Sequence, residues 1–331
     1  MGAPLIEGTV VENRGALFDV MVDGHVVRCL LRGKLKKGKQ RAATPVAAGD
    51  RVKIAMLEPG RGVIEEVLPR ESDLSRMAAG SVPLQQTLVA NVDQAVIVFA
   101  AAEPRPDLFL LDRFLVQAMA GGLEPLVCIN KTDLVDGEPL RLEACGQARA
   151  SDDGQARPEA GGQVHARFAV YRQCGFRVLF TSAEAGDGVP ELKEALTDRR
   201  SVLCGPSGVG KSSLLNAIAP GFALRVGEMG DVTHKGRHTT TSITLLELPF
   251  GGWVADTAGL RQLGFWDVSP EQVAAAFPDV APFIGGCRFS NCSHGGEEGC
   301  AIREAVERGG LEERRVRSWR QMAVGQRKER E

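Results

Sequence analysis

No apolar run in this chain approaches the roughly 18 residues that a membrane span needs. Its start, Met1-Gly2-Ala3-Pro4-Leu5-Ile6-Glu7, has no basic stretch leading into an apolar one, so no secretory leader is expected and the cytoplasm is the expected location. An excess of either charge is also missing. Forty Lys and Arg face 42 Asp and Glu, a net charge of −2. Bulk attraction to nucleic acid is therefore excluded, and only local patches could bind it. A disulfide framework is lacking too: Cys29, Cys128, Cys145, Cys174 and Cys204 are scattered, four of them in apolar segments. They read as reduced thiols used as small core residues. What is present is ample: 331 residues, 44% of them hydrophobic, suit two or three domains with a sizeable core.

Residues 5 to 69 read as five short strands. Val22-Asp23-Gly24-His25 supplies a tight hairpin turn between two of them. Five strands in so short a stretch suit a small barrel of the oligonucleotide-binding type, with a β-sandwich fragment as the other solution. After the third strand the chain turns basic, through Arg28, Arg32, Lys34, Lys36, Lys37, Lys39, Arg41 and Arg51, with Asp50 the single acid among them. Either this is a solvated loop, or Arg32, Lys34, Lys36, Lys37, Lys39 and Arg41 contact RNA. Phe18 is the only aromatic residue in this region, so such contact would be to phosphate rather than by base stacking.

Residues 70 to 90 read as a polar linker. Continuous apolar runs at 95–102 and 125–129 flank a helical pattern over 107–119, with Leu108, Leu111, Leu115 and Met119 on one face. Strand, helix, strand at that spacing is a βαβ unit in a doubly covered parallel sheet. Residues 141–165 lack periodicity and read as a mobile surface insertion. The pattern resumes with a strand at 177–180, a helix at 189–198 and a strand at 201–204.

Three motifs sit on this frame. Gly205-Pro206-Ser207-Gly208-Val209-Gly210-Lys211-Ser212, extended by Ser213, is a phosphate loop between an apolar strand and a helix. Its glycines let backbone N–H groups turn onto phosphates, Lys211 reaches the terminal phosphates, and the Ser212 hydroxyl suits Mg²⁺. Asn130-Lys131-Thr132-Asp133 chooses the base. The Asp133 carboxylate accepts from guanine's ring N–H and amino group together, whereas adenine turns a lone pair towards it. Ser182-Ala183 would offer an N–H to the guanine carbonyl. Asp256-Thr257-Ala258-Gly259 would hold Mg²⁺ through water at Asp256 and meet the γ-phosphate at the Gly259 N–H. Within Lys235-Gly236-Arg237-His238-Thr239-Thr240-Thr241, Thr240 is the first choice for a switch threonine on Mg²⁺, with Thr239 and Thr241 as rivals. Leu260 stands where a water-orienting Gln is common, so His238 or a partner must orient the attacking water, and turnover alone should be slow. The guanine reader precedes the phosphate loop, so the chain reads as a circularly permuted GTPase. A P-loop ATPase is disfavoured by Asp133.

Cys287, Cys292, His294 and Cys300 supply three thiolates and one imidazole, a complete tetrahedral set for one structural Zn²⁺ with no open position. Helical patterns follow at 301–308 and 311–320. Their surplus of arginine, Arg314, Arg315, Arg317 and Arg320 among them, is either a solvated face or an RNA contact.

Together these residues resemble the bacterial ribosome small-subunit-dependent GTPase A family. The resemblance rests on the permuted order, Ala90-Asn91-Val92-Asp93-Gln94, the phosphate loop, Gly236-Arg237-His238-Thr239-Thr240-Thr241 and the four metal-ligand positions. Pro206, where Gln is commoner, and the long 141–165 stretch depart from the pattern without touching a ligand. The resemblance implies an oligonucleotide-binding barrel over 1–72, a permuted GTPase domain over 73–268 and a zinc-binding helical module over 269–331. It implies a factor that binds the small ribosomal subunit and its rRNA, hydrolyses GTP to GDP when the particle stimulates it, and leaves. A monomer with no membrane partner is expected, since nothing in the sequence suggests an obligate dimer or a membrane span. A guanine-nucleotide switch on RNA with a non-ribosomal partner is the alternative.

Overall fold

The computed structural model describes residues 4–33, 35, 45–77, 85–135, 160–221, 243–255 and 268–328. The first five strands, β1 (Leu5–Asn13), β2 (Leu17–Val22), β3 (His25–Leu31), β4 (Arg51–Glu58) and β5 (Arg61–Val67), close into a barrel in the order β1-β2-β3-β5-β4. Alternation along the strands sends Val10, Val20, Val27, Cys29, Ile54 and Ile64 inward. Asp23 and Gly24 both take positive φ, 46° and 81°, as the predicted two-residue hairpin requires, and Val22 pairs with His25.

Residues 70–90 are not merely a linker. β6 (Asp73–Met77) and β7 (Gln85–Ala90) form a two-stranded antiparallel ribbon. Its base is tied to the barrel. Asp50 is fully buried, accepts two bonds from Arg70 at 2.7 and 2.8 Å, and caps the Ala47 N–H; Arg70 also donates to Thr87. Asn91, at φ 50°, donates to the Gly49 carbonyl and accepts from the Glu71 N–H. Gly49 lies so close that a Cβ would stand 1.8 Å from the Ala90 carbonyl oxygen.

The main sheet has six strands in the order β10-β9-β8-β11-β13-β12, all parallel except β12. They are β8 (Gln94–Ala100), β9 (Glu124–Asn130), β10 (Arg177–Phe180), β11 (Arg200–Cys204), β12 (Leu245–Glu247) and β13 (Trp253–Ala255). Every residue of β8 is buried. Its alternate side chains feed two cores. Ala95, Ile97 and Phe99 pack against α1 (Leu108–Ala120) and α2 (Ala160–Gln173). Val96, Val98 and Ala100 face α3 (Val189–Leu196) and α4 (Lys211–Ile218). Asp107 caps α1 by accepting from Phe109 and Leu110 N–H.

Helix α2 corrects the reading of 141–165, because residues 160–165 already belong to it. Val164, Phe168 and Tyr171 form its buried stripe, and Gly161-Gly162 hid that stripe in the sequence. Residues 136–159 lie outside the described residues.

The C-terminal part holds α5 (Pro270–Ala275), α6 (Ala301–Glu307) and α7 (Glu313–Lys328) around Phe277, Val280, Ile302, Trp319 and Met322. Val116 of α1 joins this third core, so the part is packed onto the sheet's helical layer. Arg315 fastens it. Its guanidinium is 0% exposed and bonds Asp112 of α1 at 2.5 Å and Asp279 at 3.0 Å, with the Phe277 ring at 4.1 Å. Arg314 adds a second bond to Asp112 at 2.9 Å, and the Tyr171 hydroxyl donates a third at 2.8 Å. Burial alone would lower the Arg315 pKa, but the hydrogen bond and charge of Asp279 and the charge of Asp112 outweigh it and raise it. These two arginines therefore serve the fold rather than an RNA surface.

Candidate functional site

Three loops from different parts of the sequence meet at the C-terminal edge of the parallel strands, and Asn130 joins them. Its amide donates to the Val209 carbonyl of the phosphate loop at 2.9 Å. Its side-chain oxygen accepts from the Ala183 N–H and the Thr181 hydroxyl, both at 3.2 Å. Asn130 is 1% exposed, so these bonds are made out of water and fix the distance between base reader and phosphate loop.

The base reader is held from behind. Lys131 sits in the left-handed region at φ 61° and donates to the Glu103 carbonyl at 2.6 Å. Thr132 is buried, and both its N–H and hydroxyl donate to the Thr181 carbonyl. Asp133 is exposed, and the Ser182 hydroxyl holds one of its oxygens at 2.5 Å. The carboxylate thus faces outward with its orientation set, as guanine recognition needs. Thr181 and Glu103 are site-building residues that sequence reasoning missed. The signal for Thr181 was its place, a lone hydroxyl between a buried strand and Ser182-Ala183.

The phosphate loop, 205–212, runs from β11 into α4. Gly205 and Gly210 take φ of 137° and 92°; a Cβ would meet the Val98 carbonyl oxygen at 2.0 Å and the Asn130 amide nitrogen at 2.3 Å respectively. Those two close approaches, rather than flexibility, account for glycine there. Val209 is buried as the loop's anchor, while Ser207 and Gly208 are exposed at its rim. Lys211 arches back and donates to the Gly205 and Pro206 carbonyls at 2.8 and 2.7 Å. An ammonium so placed lies over the loop that would receive phosphate. Ser212 and Ser213 are exposed in the first turn of α4, whose positive end points at the same place.

His238, Thr239, Thr240, Thr241, Asp256, Gly259 and Leu260 lie outside the described residues, as do Lys34, Lys36, Lys37, Lys39 and Arg41. Arg32 is exposed and paired with Glu65. Arg28 pairs with Asp19 of β2 and Arg51 with Glu71 of the segment after β5, so acids distant in sequence offset part of the basic stretch.

Cys287, Cys292, His294 and Cys300 place four ligand atoms within 4.8 Å of one another. Cys287 and Cys300 sulfurs are 4.0 Å apart and lie 3.4 and 3.6 Å from His294 Nδ1. A tetrahedral zinc with bonds of ~2.3 Å to sulfur and ~2.0 Å to nitrogen has edges of ~3.8 and ~3.5 Å, so the cluster fits such an ion. His294 takes φ 57° and its ring meets Trp319 edge to face at 5.3 Å. Arg320 caps the His294 carbonyl. By contrast, Cys29, Cys128 and Cys204 are buried, and burial pushes their thiols up to about 11, 12 and 12, as inert core residues.

A parallel sheet whose phosphate loop and guanine reader meet at one edge, with the reader earlier in the chain, defines a circularly permuted P-loop GTPase. The family model for the RsgA GTPase matches residues 67–266, and that for the RsgA N-terminal domain matches 7–64. The chain belongs to the RsgA GTPase family and hydrolyses GTP. The protein called small ribosomal subunit biogenesis GTPase RsgA from Moorella thermoacetica is 42% identical over 304 residues, 92% of this chain and 91% of that one. Its namesake from Gemmatimonas aurantiaca is 40% identical over 94% of each chain. The crystal structure of YjeQ from Thermotoga maritima is similar with a TM-score of 0.71 at 34% identity, covering 97% of this chain and 98% of that one. YloQ, described as a circularly permuted GTPase, gives 0.67 at 30%, covering 99% and 96%. Among the described residues no helix is long and apolar enough to cross a membrane.

Proposed function

We propose that this GTPase acts in the biogenesis of the small ribosomal subunit, that the particle stimulates its hydrolysis of GTP, and that hydrolysis is coupled to its release. The observation that carries the reading is similarity over at least nine-tenths of both chains to proteins bearing that biogenesis name. The division into a barrel over 1–72, a GTPase domain over 73–268 and a metal-binding module over 269–331 belongs to the same reading, as do a cytoplasmic location and a monomeric state.

In the nucleotide site, Asp133 reads guanine, the Ala183 N–H turns from the Asn130 side-chain oxygen to the guanine carbonyl, and Asn130 sets the spacing to the phosphates. Lys211 exchanges its two loop carbonyls for phosphate oxygens and counters the charge that grows on them. Ser212, Thr240 and Asp256 (through water) would hold the Mg²⁺ that accompanies GTP, and Gly259 would meet the γ-phosphate. Bound Mg²⁺ supplies charge neutralisation across the phosphates. Leu260 has no group to orient water, so the particle, with or without His238, supplies it. Arg32, Lys34, Lys36, Lys37, Lys39 and Arg41 meet rRNA phosphate.

The test is GTP hydrolysis with and without purified small subunits. A rise of about 10²-fold or more with small subunits, absent with ATP or with large subunits, is expected. No rise would remove the ribosome from the reading and leave a guanine-nucleotide switch with another partner. In the same assay His238→Ala should cut the stimulated rate while GTP affinity holds; an unchanged rate takes His238 out of the mechanism.

Cys287, Cys292, His294 and Cys300 hold one structural zinc in this proposal. Elemental analysis should return one zinc per chain and none in Cys292→Ser. A metal-free wild type that unfolds as cooperatively as before would overturn it.

A further inference from the structure

The metal-ligand cluster presents one aromatic ring to solvent. Between Cys287 and Cys292 the chain bows outward through Arg288, Phe289, Ser290 and Asn291, all of them exposed. Phe289 keeps 49% of its surface, whereas Phe277 and Trp319 of the same module are core residues. The bow is fixed at both ends. The Arg288 N–H donates to the Gly299 carbonyl at 2.9 Å, and the Cys292 N–H to the Phe289 carbonyl at 3.2 Å. Gly299, at φ 74°, lets Arg288 lie against it; a Cβ there would stand 2.8 Å from the Arg288 Cβ. The Arg288 guanidinium rests 5.5 Å from the Phe289 ring centroid and has no acidic partner among the described residues. Of the loop's two acids, Glu297 is occupied by the Ser293 hydroxyl and by the N–H groups of Ser293, Gly295 and Gly296, and Glu298 is exposed and makes no ion pair with Arg288.

We propose that Phe289 and Arg288 form a docking point for one unpaired RNA nucleotide, with the base stacked on the free face of the ring and the phosphate on the guanidinium. The inference rests on the reading that the partner is an RNA particle. It adds that this contact is to a loop, bulge or strand end, because a base inside a duplex offers no free face. A ring already held in place loses little freedom when a planar partner lands on it. The unneutralised guanidinium argues against an apolar protein surface, which would desolvate that charge without a counter-charge. RNA brings both the plane and the phosphate.

The experiment is equilibrium binding of the full chain, with a non-hydrolysable GTP analogue, to purified small ribosomal subunits. Phe289→Ala should weaken binding about tenfold or more, the loss of one stacked base. Phe289→Trp should bind at least as well as wild type, and Phe289→Leu should fall with the alanine variant. Wild-type affinity in Phe289→Ala overturns the proposal. So does wild-type affinity in Phe289→Leu, which would mark an apolar protein contact. Arg288→Gln should reduce the salt dependence of binding by about one phosphate contact. Unchanged metal content in each variant shows that the loop is intact. If wild type does not bind the subunit, the ribosomal reading fails by itself, and a second titration still decides the stacking. The indole fluorescence that Phe289→Trp adds to that of the three native tryptophans should be quenched by a single-stranded oligonucleotide and not by a duplex, with wild type as the blank; no added quenching by the single strand overturns the proposal.

Discussion

Asp133→Asn should lower affinity for GTP by about 10²- to 10⁴-fold and raise affinity for xanthosine triphosphate. Guanine turns two donors, its ring N–H and its amino group, towards this position. A carboxylate accepts both, and each charge-assisted bond is worth about 1.5–3 kcal/mol. An amide oxygen accepts one, while its NH₂ opposes guanine's amino group. Xanthine carries a carbonyl at that place and accepts from the amide instead. The exchange should be clean because the frame does not depend on Asp133. Thr132 is anchored on the Thr181 carbonyl, Asn130 spans three loops, and Lys131 is tied to Glu103. Titration with GTP, xanthosine triphosphate and ATP measures it. Unchanged GTP affinity would sink the assignment of base recognition to this loop.

Arg315→Ala should cost about 3–5 kcal/mol of stability, the usual loss when one member of a buried ion pair is removed. Asp112 is 0% exposed and Asp279 16%, and the alanine variant leaves both carboxylates without their shared counter-ion. Asp112 keeps Arg314 and the Tyr171 hydroxyl, which limits the loss. Replacing the pair together, Arg315→Met with Asp112→Leu, should recover much of it, since the desolvation cost disappears with the charges. Denaturant unfolding of each variant, with metal content checked alongside, reads the difference. A loss under about 1 kcal/mol for Arg315→Ala would mean that this cluster does not hold the C-terminal part to α1.

The sequence carried the barrel strands, the parallel sheet and the three loops because each leaves a local trace. The strands alternate or run apolar, and a phosphate loop must have glycine where an added Cβ would stand 2.0 or 2.3 Å from a backbone oxygen or an amide, as at Gly205 and Gly210. Long-range partnership left no such trace. Arg314 and Arg315 look like solvent-facing charge in a helix of many arginines. Only the fold brings Asp112, some two hundred positions earlier, to meet them. The partners of Arg28, Arg32 and Arg51 were hidden in the same way, because Asp19 and Glu65 come from neighbouring strands and Glu71 from the segment after the barrel. Asn91 belongs to both categories. Ala90-Asn91-Val92-Asp93-Gln94 was visible as a motif, but its work is at the seam. Asn91 ties the barrel, Asp93 accepts from the Arg200 N–H, and Gln94 donates to the Ala195 carbonyl and Ser201.

The strand order also sets a timetable for synthesis. A ribosome making this chain delivers β8 first, then β9 and β10, each beside the last. The other edge of β8 stays without its partner until β11 emerges a hundred residues later, at Arg200–Cys204. The nascent chain thus holds half a sheet with one unsatisfied edge in its middle, a template for unwanted pairing until it is filled. Helices α1 and α2 can already cover one face of that half-sheet, and the barrel is already tied to its base. The strand that fills the edge is also the one that leads into the phosphate loop. Guanine nucleotide therefore has a complete site only after the sheet's central seam is closed, and its binding reports that closure.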